Sequence, residues 1–319
     1  MTVCRAWRGL FLVLLASRAF AKPWQPTEGH MQVPLWSGSA PNSIAGSGPE
    51  DEVTPRSNLV AGKPWLEVAN VVRPTMTIYK PAKDEPGPAV VVFPGGGYTV
   101  LAIDLEGTEV CDWLTSRGIT CVLLKYRVPG SGLYPKAAPW PKSGPFPKSP
   151  FALADAQRAI GLVRFRAREW GIDPHKIGVL GFSAGGHLVA ATSTHFAKRV
   201  YSPVDGADAV SCRPDFAVAL YPGHLSFKPK IHELSPDIRV TRETPPTFLL
   251  QAEDDPVDRV ENALVYYAAL RAAGVPAELH LYAHGGHAFG LRRTDEPITT
   301  WPALVERWLR AIAVLSPPP

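Results

Sequence analysis

The apolar positions of this 319-residue chain alternate between two spacings along its middle and C-terminal parts. Short runs of β-branched and aromatic residues are typical of buried strands, and apolar residues that recur every three or four positions are typical of helices. The predicted strands cover 74–79, 88–93, 119–128, 177–182, 216–221, 247–252 and 277–282. The predicted helices cover 108–116, 153–170, 185–196, 262–273 and 300–312. This alternation favours an α/β domain with a mostly parallel central sheet and helices on both faces.

Three segments stand outside this alternation. Residues 1–21 have a basic start, a short apolar run and a small-x-small ending, which predicts a cleavable signal peptide and a secreted or periplasmic protein; a buried helix is the alternative. Residues 22–60 are rich in Pro, Ser and Gly and predict an extended arm on the surface of a catalytic domain, 61–319. Residues 129–150 carry seven prolines and predict a long loop at the sheet edge where binding sites lie.

Composition and charge exclude several classes of partner. Apolar residues make up 45% of the chain and charged residues 19%, as in ordinary soluble proteins. Without the three arginines of the predicted signal, 30 basic residues face 29 acidic ones. No basic stripe remains, so neither nucleic acid nor a membrane surface is an expected partner. The oligomeric state leaves no signal in the sequence.

Three cysteines follow the predicted signal, at Cys111, Cys121 and Cys212. Their spacing fits no zinc site, and we expect neither a metal nor another cofactor. Three cysteines permit at most one disulfide. We expect buried free thiols, with a Cys111–Cys121 disulfide as the alternative.

One predicted strand runs directly into a helix through Gly-Phe-Ser-Ala-Gly, residues 181–185. Glycines at both ends of this G-x-S-x-G pattern suit a turn that is too tight for side chains and that lifts the Ser183 hydroxyl to the edge of the sheet. His187, farther along the same segment, is expected to pack within the helix. The pattern occurs often by chance, so Ser183 is a candidate nucleophile only if its chemical partners lie elsewhere in the chain.

A candidate acid and a candidate base follow Ser183 in chain order, each after a later predicted strand. His287 is the predicted base, because two preceding glycines let the backbone bring its ring toward the serine; His284 is the alternative. Asp255 is the predicted acid, because Pro256 stiffens the backbone after it. The competing acids, otherwise expected to be solvated loop charges, are Glu253, Asp254 and Asp258.

An oxyanion site requires backbone N–H groups near the serine. The predicted donors are Ala184, directly after the serine, and the glycine run of "VVVFPGGGYTV", at Gly96 and Gly97. No Lys-Ser or Lys-Thr follows the run, which argues against a phosphate-binding loop. The aromatic residues predicted to contact substrate are Tyr98 after the run and Tyr134, Trp140 and Phe146 in the proline-rich stretch.

Several segments together resemble the secreted bacterial α/β-hydrolases grouped with acetylxylan and feruloyl esterases: "FPGGGYTVLA", "LKYRVP", "IGVLGFSAGGHL", "FLLQAEDDPV" and "LYAHGGHAFGLR". The resemblance runs from about Val33 to Arg310 and implies an α/β-hydrolase fold. It places that family's serine, acid, histidine and oxyanion glycines on Ser183, Asp255, His287, Gly96 and Gly97. Pro94 stands where the wider hormone-sensitive-lipase-like group has His.

These elements predict a serine carboxylesterase, and the resemblance implies acetyl or feruloyl esters on a plant polysaccharide such as xylan as substrates. A serine exopeptidase of the same fold is one alternative, although it usually needs an added domain to gate peptides. A lipase or a general small-ester carboxylesterase is another, but a lipase needs an exposed apolar lid where 129–150 carries lysines. A non-catalytic carbohydrate-binding protein would not need all four catalytic elements.

Overall fold

The structure is a computed structural model that describes residues 23–43, 48–82, 86–128, 150–226 and 230–316. Its strands are β1 (Met31–Pro34), β2 (Glu52–Val60), β3 (Lys63–Ala69), β4 (Thr75–Tyr79), β5 (Gly87–Phe93), β6 (Val100–Ala102), β7 (Thr120–Lys125), β8 (Ile172–Phe182), β9 (Ala217–Leu220), β10 (Thr247–Ala252) and β11 (Ala277–Tyr282). Its α-helices are α1 (Glu109–Ser116), α2 (Pro150–Phe165), α3 (Ala167–Trp170), α4 (Ala184–Thr194), α5 (Glu261–Ala272) and α6 (Trp301–Ala311). The predicted signal, 1–21, lies outside the described residues.

An eight-stranded sheet in the order β1-β4-β7-β5-β8-β9-β10-β11 forms the centre of the fold. All neighbours from β7 to β11 are parallel, and β1 and β4 are antiparallel to their neighbours. The predicted mainly parallel sheet is therefore confirmed. Since β5, β8, β9, β10 and β11 lie side by side, the loops that follow them meet at one edge of the sheet.

The N-terminal arm is more ordered than its composition predicts. β1 pairs with β4 at the edge of the central sheet, and β2 pairs with β3 and β3 with β6 in a three-stranded sheet of its own. Leu35 and Trp36 are buried in the core. The expectation of an extended surface arm is wrong here, because these short, half-exposed strands have too little apolar alternation to be recognised.

The helix predicted over 153–170 is interrupted. α2 ends at Phe165, α3 adds one turn, and Gly171 closes it in the left-handed conformation at φ 70°. β8 then begins at Ile172, earlier than expected, and ends at Phe182 as predicted. The part of β8 next to the site was thus placed correctly.

A buried ion pair joins the two sides of the proline-rich stretch. Arg127, just before the stretch, donates from Nε to Asp155 Oδ2 on α2 at 3.0 Å. The same guanidinium donates to the Phe151 carbonyl at 3.3 Å, and Trp36 of the arm donates to Asp155 Oδ1 at 3.0 Å. These contacts hold the end of β7, the start of α2 and the arm together.

Cys111 and Cys121 form a disulfide between α1 and β7, with their Cα atoms 5.1 Å apart. The expectation of free thiols is therefore wrong for this pair. Spacing alone could not reveal the bridge, because the pairing depends on how α1 packs against β7. Cys212 is free and buried, and burial raises the pKa of its thiol.

Reduction of this disulfide is expected to lower the free energy of unfolding by about 2–3 kcal/mol, because it frees a short loop in the unfolded chain. The corresponding decrease in Tm is roughly 5 °C. Thermal melts with and without a thiol reductant measure it. In the control, the double variant Cys111→Ala with Cys121→Ala, the reductant should leave Tm unchanged. A wild-type Tm that is the same with and without the reductant would contradict the disulfide.

Candidate active site

Ser183 lies on a sharp turn between β8 and α4. Its backbone has φ 52° and ψ −118°, a strained conformation for any residue with a side chain. A Cβ atom at Gly181 would lie 2.3 Å from the Gly185 carbonyl oxygen, and one at Gly185 would lie 2.0 Å from that of Phe93. Both glycines of the G-x-S-x-G pattern are therefore required by close backbone packing, as the sequence indicates.

Backbone hydrogen bonds hold this turn in place. The N–H of Ser183 donates to the Leu220 carbonyl at the end of β9 at 3.0 Å. The Ser183 carbonyl accepts from the N–H groups of His187 at 3.0 Å and Gly223 at 3.2 Å. The turn is thus fastened both to α4 and to the neighbouring strand, which compensates for its strain.

The structure brings Ser183, His287 and Asp255 into one hydrogen-bonded line. His287 follows β11, and its Nε2 lies 3.0 Å from Ser183 Oγ. Its Nδ1 lies 2.7 Å from Oδ2 of Asp255, which follows β10. An ionised carboxylate only accepts, so Nδ1 carries the proton and Nε2 is left as an acceptor for the serine hydroxyl.

The Asp255 carboxylate is held on every side. Its Oδ2 also accepts from Gln251 Nε2 at 3.0 Å. Its Oδ1 accepts from the N–H groups of Val257 at 2.8 Å and Asp258 at 2.9 Å. These donors fix the orientation of the carboxylate and still leave Oδ2 able to accept from His287 Nδ1. The imidazole is therefore oriented by a rigid partner.

The competing residues take other positions. Asp254 accepts from the Gly286 N–H at 2.9 Å and lies 3.3 Å from Nδ1 of the exposed His284, so it braces the histidine loop from outside. Asp258 is buried, and its Oδ2 lies 3.3 Å from Ser183 Oγ. The expectation of a solvated loop charge is wrong for Asp258, because the turn that begins at Asp255 folds its carboxylate back against the serine.

The imidazole of His287 is surrounded by negative charge. Burial works against its protonation, but the hydrogen bond and charge of Asp255, followed by the charges of Asp258 and Glu106, outweigh it and raise the pKa of His287 above its ordinary value. The surroundings therefore favour the imidazolium that forms when a base accepts a proton from serine.

The glycine run lies directly against the nucleophile. A Cβ at Gly95 would lie 3.0 Å from Ser183 Cβ, and one at Gly96 would lie 2.2 Å from the Val100 carbonyl oxygen. Gly96 and Gly97 have φ 129° and 63°, in the region that favours glycine. The glycine loop thus approaches Ser183, and Ala184 follows the serine at the positive end of α4. That the N–H groups of Gly96, Gly97 and Ala184 bind an oxyanion stays a prediction. Sequence reasoning missed the close approach of Gly95.

The Tyr98 side chain is more deeply buried than is expected for a ring that contacts substrate. Its side chain is 5% exposed, and its hydroxyl lies 2.7 Å from His187 Nδ1 on α4. Its ring also packs against those of Tyr126 and His224. These contacts tie the end of the glycine loop to α4, and a contact of Tyr98 with substrate stays a prediction.

The other predicted contact residues, Tyr134, Trp140 and Phe146, lie outside the described residues. Within the described ranges, no group of three or more His, Cys, Asp or Glu side chains is arranged to hold a metal ion. None of the helices in those ranges has the length and apolar character of a membrane span.

Two residues of the site were not singled out from the sequence. Glu106, on the π-helical turn Asp104–Thr108, is buried beneath the glycine loop, and Tyr221, just after β9, packs against His287 with ring centroids 5.0 Å apart. Glu106 is one of three acids in the stretch "VLAIDLEGTEV", with Asp104 and Glu109, so the sequence signal for its burial is weak.

Two family models match the chain. The model described as BD-FAE matches residues 76–220, and that of the prolyl oligopeptidase family matches residues 155–313. The chain is 33% identical to an acetylxylan esterase of Xylanibacter ruminicola over 64% of its own length. It is 29% identical to endo-1,4-β-xylanase B of Butyrivibrio fibrisolvens over 72% of its length. The chain spans only 41% and 36% of the lengths of these two relatives.

A solved structure agrees over a greater length. The acetyl ester-xyloside bifunctional hydrolase from Caldicellulosiruptor lactoaceticus is 33% identical, with a TM-score of 0.68. The alignment covers 90% of this chain and 97% of that one. This likeness over nearly the whole chain, together with the strand order, confirms the predicted fold class.

Proposed function

The chain belongs to the α/β-hydrolase esterase family, and we propose that it hydrolyses carboxylic esters with Ser183 as nucleophile. The observation that carries the proposal is the line from Ser183 through His287 to Asp255, with distances of 3.0 and 2.7 Å. A serine becomes a nucleophile when a neutral imidazole accepts its proton and a carboxylate orients that imidazole.

The reaction proceeds through an acyl-enzyme. Ser183 Oγ attacks the ester carbonyl carbon while His287 Nε2 takes the hydroxyl proton, and the carbonyl oxygen becomes an oxyanion. N–H groups of Ala184, Gly96 and Gly97 stabilise its charge. The intermediate then expels the alcohol, which leaves with the proton from Nε2. Water attacks the acyl group in the same way, and the acid departs as Ser183 regains its proton.

The substrates that we propose are acetyl or feruloyl esters of a plant polysaccharide such as xylan. The names of the similar acetylxylan esterase and acetyl ester-xyloside hydrolase support this class. Asp258 supports it independently, because its Oδ2 lies 3.8 Å from His287 Nε2, beside the position where the alcohol departs. A carboxylate there accepts hydrogen bonds from neighbouring sugar hydroxyls and repels anionic alcohols.

A substrate panel tests this proposal. Purified enzyme is assayed on p-nitrophenyl acetate, a long-chain p-nitrophenyl ester, methyl ferulate and acetylated and feruloylated xylan. We expect acetate or ferulate release from xylan and weak activity on the long-chain ester. Strong preference for the long chain would indicate a lipase instead, and no hydrolysis of any ester would overturn the proposal.

A serine exopeptidase is the second candidate function. The match of residues 155–313 to the prolyl oligopeptidase family favours it, since that segment holds all three candidate catalytic residues. Aminoacyl and dipeptidyl p-nitroanilides distinguish the two activities, because amides demand protonation of a poorer leaving group. Turnover of such an amide comparable to that of p-nitrophenyl acetate would favour the peptidase.

We propose further that the proline-rich stretch forms a wall of the substrate site. Trp140→Ala is then expected to raise KM for feruloylated or acetylated xylan several-fold, because a flat apolar ring is a platform for a sugar or aromatic face. Turnover of p-nitrophenyl acetate should hardly change. Phe165→Ala, which removes an exposed ring of α2, is the control and should affect neither substrate. Equal losses on both substrates would contradict the proposed wall.

Export from the cytoplasm is also part of the proposal. Residues 1–21 have the pattern of a signal peptide, and disulfides such as Cys111–Cys121 form in oxidising compartments. Expression of the full chain, fractionation of the host and N-terminal sequencing test it. The expected product begins at Lys22, and an uncleaved cytoplasmic product would contradict export.

A further inference from the structure

The carboxylate of Glu106 lies at the centre of a hydrogen-bond network beneath the candidate site, although it transfers no proton in the reaction. The residue is 2% exposed. Its Oε2 accepts from the Gly95 N–H at 2.7 Å, and its Oε1 accepts from the Tyr221 hydroxyl at 2.8 Å. Both oxygens of this buried carboxylate are thus bonded to segments that build the site.

On one side, Glu106 fixes the glycine loop. The peptide between Pro94 and Gly95 is held at both ends, because Glu106 accepts from its N–H and the Tyr126 hydroxyl donates to its carbonyl oxygen at 2.6 Å. The Gly95 carbonyl accepts from the Ala102 N–H at 3.0 Å. Peptide planes held in this way set the direction of the N–H groups that follow, and stabilisation of an oxyanion depends on donors that are aligned beforehand.

On the other side, Glu106 is linked to the loop that carries the base. The Tyr221 hydroxyl, which donates to Glu106, accepts from the Gly290 N–H at 3.1 Å. Gly290 has φ 56°, and a Cβ there would lie 2.5 Å from the Leu105 carbonyl oxygen. The histidine loop is therefore fastened to the same π-helical turn that fixes the glycine loop.

The ionised form of Glu106, in which both oxygens accept hydrogen bonds, places a negative charge near His287. Burial raises the pKa of Tyr221 far above its ordinary range, so the phenol stays a donor and does not share the charge. Burial also raises the pKa of Glu106, against the effects of the Tyr221 hydrogen bond, the His287 charge and the Gly95 N–H. Ionised Glu106 is in turn one of the charges that raise the pKa of His287, after Asp255 and Asp258.

We propose that Glu106 is a positioning residue that joins the oxyanion loop to the histidine loop and whose charge favours protonated His287 during acyl transfer. The proposal rests on the proposed esterase function for its catalytic consequence. Its electrostatic part concerns the protein alone and has a readout that needs no substrate.

Glu106→Gln separates this role from a purely structural one. The glutamine keeps the size and one acceptor oxygen of the side chain but removes its charge. We expect the titration midpoint of His287 to fall by roughly 0.5 pH unit or more. The acid limb of kcat/KM for p-nitrophenyl acetate should move down by the same amount, and kcat should fall about tenfold. A merely structural role predicts a lower Tm and an unmoved midpoint.

The midpoint is measured by NMR on protein labelled with ¹³C at histidine Cε1, with the His287 signal assigned by its absence in His287→Gln. Glu109→Gln is the matched control, because it is the same substitution on α1, at a carboxylate that pairs with Arg292 at 2.7 Å. In this control, the titration midpoint of His287 should equal that of the wild type. An unmoved His287 midpoint in folded Glu106→Gln would overturn the proposal.

Tyr221→Phe keeps the proposal testable if Glu106→Gln does not fold. This variant retains the charge but removes the hydroxyl link to Gly290, and kcat per titrated active site should fall about tenfold with KM nearly unchanged. An unchanged kcat would overturn the proposed link between the loops. If the wild type hydrolyses no ester while Glu106→Gln still moves the midpoint, the proposed function fails and the electrostatic role of Glu106 stands.

Discussion

Replacing Ser183 with alanine is expected to lower kcat for p-nitrophenyl acetate by about 10⁴-fold or more. Alanine removes the only atom that attacks the carbonyl, while the glycine packing that shapes the turn stays in place. The variant should fold normally, because alanine is smaller and the Ser183 hydroxyl bonds only to other groups of the site, at His287 and Asp258, among the described contacts. Initial rates on equal amounts of folded protein measure the loss.

Ser193→Ala is the control for this substitution, since Ser193 is buried on the same helix, α4. Its kcat should stay close to that of the wild type. A Ser183→Ala variant with substantial turnover would contradict the role of Ser183 as the nucleophile. In that case the acyl group would have to be carried by another residue, which trapping with a radiolabelled organophosphate and peptide mapping would identify.

Asp255→Asn is expected to lower kcat by about 10³- to 10⁴-fold. The amide cannot serve as the charged acceptor that keeps the proton of His287 on Nδ1, so Nε2 no longer faces Ser183 as a base. The loss of charge also lowers the pKa of His287, for which Asp255 is the strongest favourable partner. Stopped-flow or steady-state rates across a pH range measure both effects.

The neighbouring acids provide matched controls for Asp255→Asn. Asp254→Asn weakens only the hydrogen bond that the Gly286 N–H donates, and it should lower kcat a few-fold. Asp258→Asn should cost less than about tenfold and shift the acid limb of the pH profile downward, because one charge near His287 is lost. If Asp258→Asn were the crippling change, Asp258 rather than Asp255 would be the orienting acid.

Much of the fold could be predicted because each strand of the parallel sheet is a buried apolar run. β5, β8 and β10 ended close to the predicted residues, so the loops that follow them were placed correctly. The arm was not, since β1 is stabilised by pairing with the distant β4, and β2, which pairs with the following β3, carries little apolar pattern of its own. The Cys111–Cys121 disulfide was not predicted either, because it depends on tertiary packing.

The site was predictable where chain order and local chemistry coincide. The geometry around Ser183, His287 and Asp255 is what the order of strands and the glycine turns indicate. Glu106 was missed, and Asp258 was named only as a competing acid, because their contacts cross the sheet edge, which no spacing encodes. Tyr98 was predicted from its place after the glycines, which gave no sign that its hydroxyl is directed to His187.

The buried Arg127 side chain bonds to Asp155 and to the Phe151 carbonyl, and so joins the chain on both sides of residues 129–149. The entropy lost on closing a loop grows slowly with its length, by about 0.6 kcal/mol for each doubling. Insertions or deletions between Val128 and Pro150 therefore change the closure entropy little. Evolution can exchange this stretch as one continuous cassette while the catalytic machinery stays the same, and a protein engineer can graft there the recognition loop of another hydrolase.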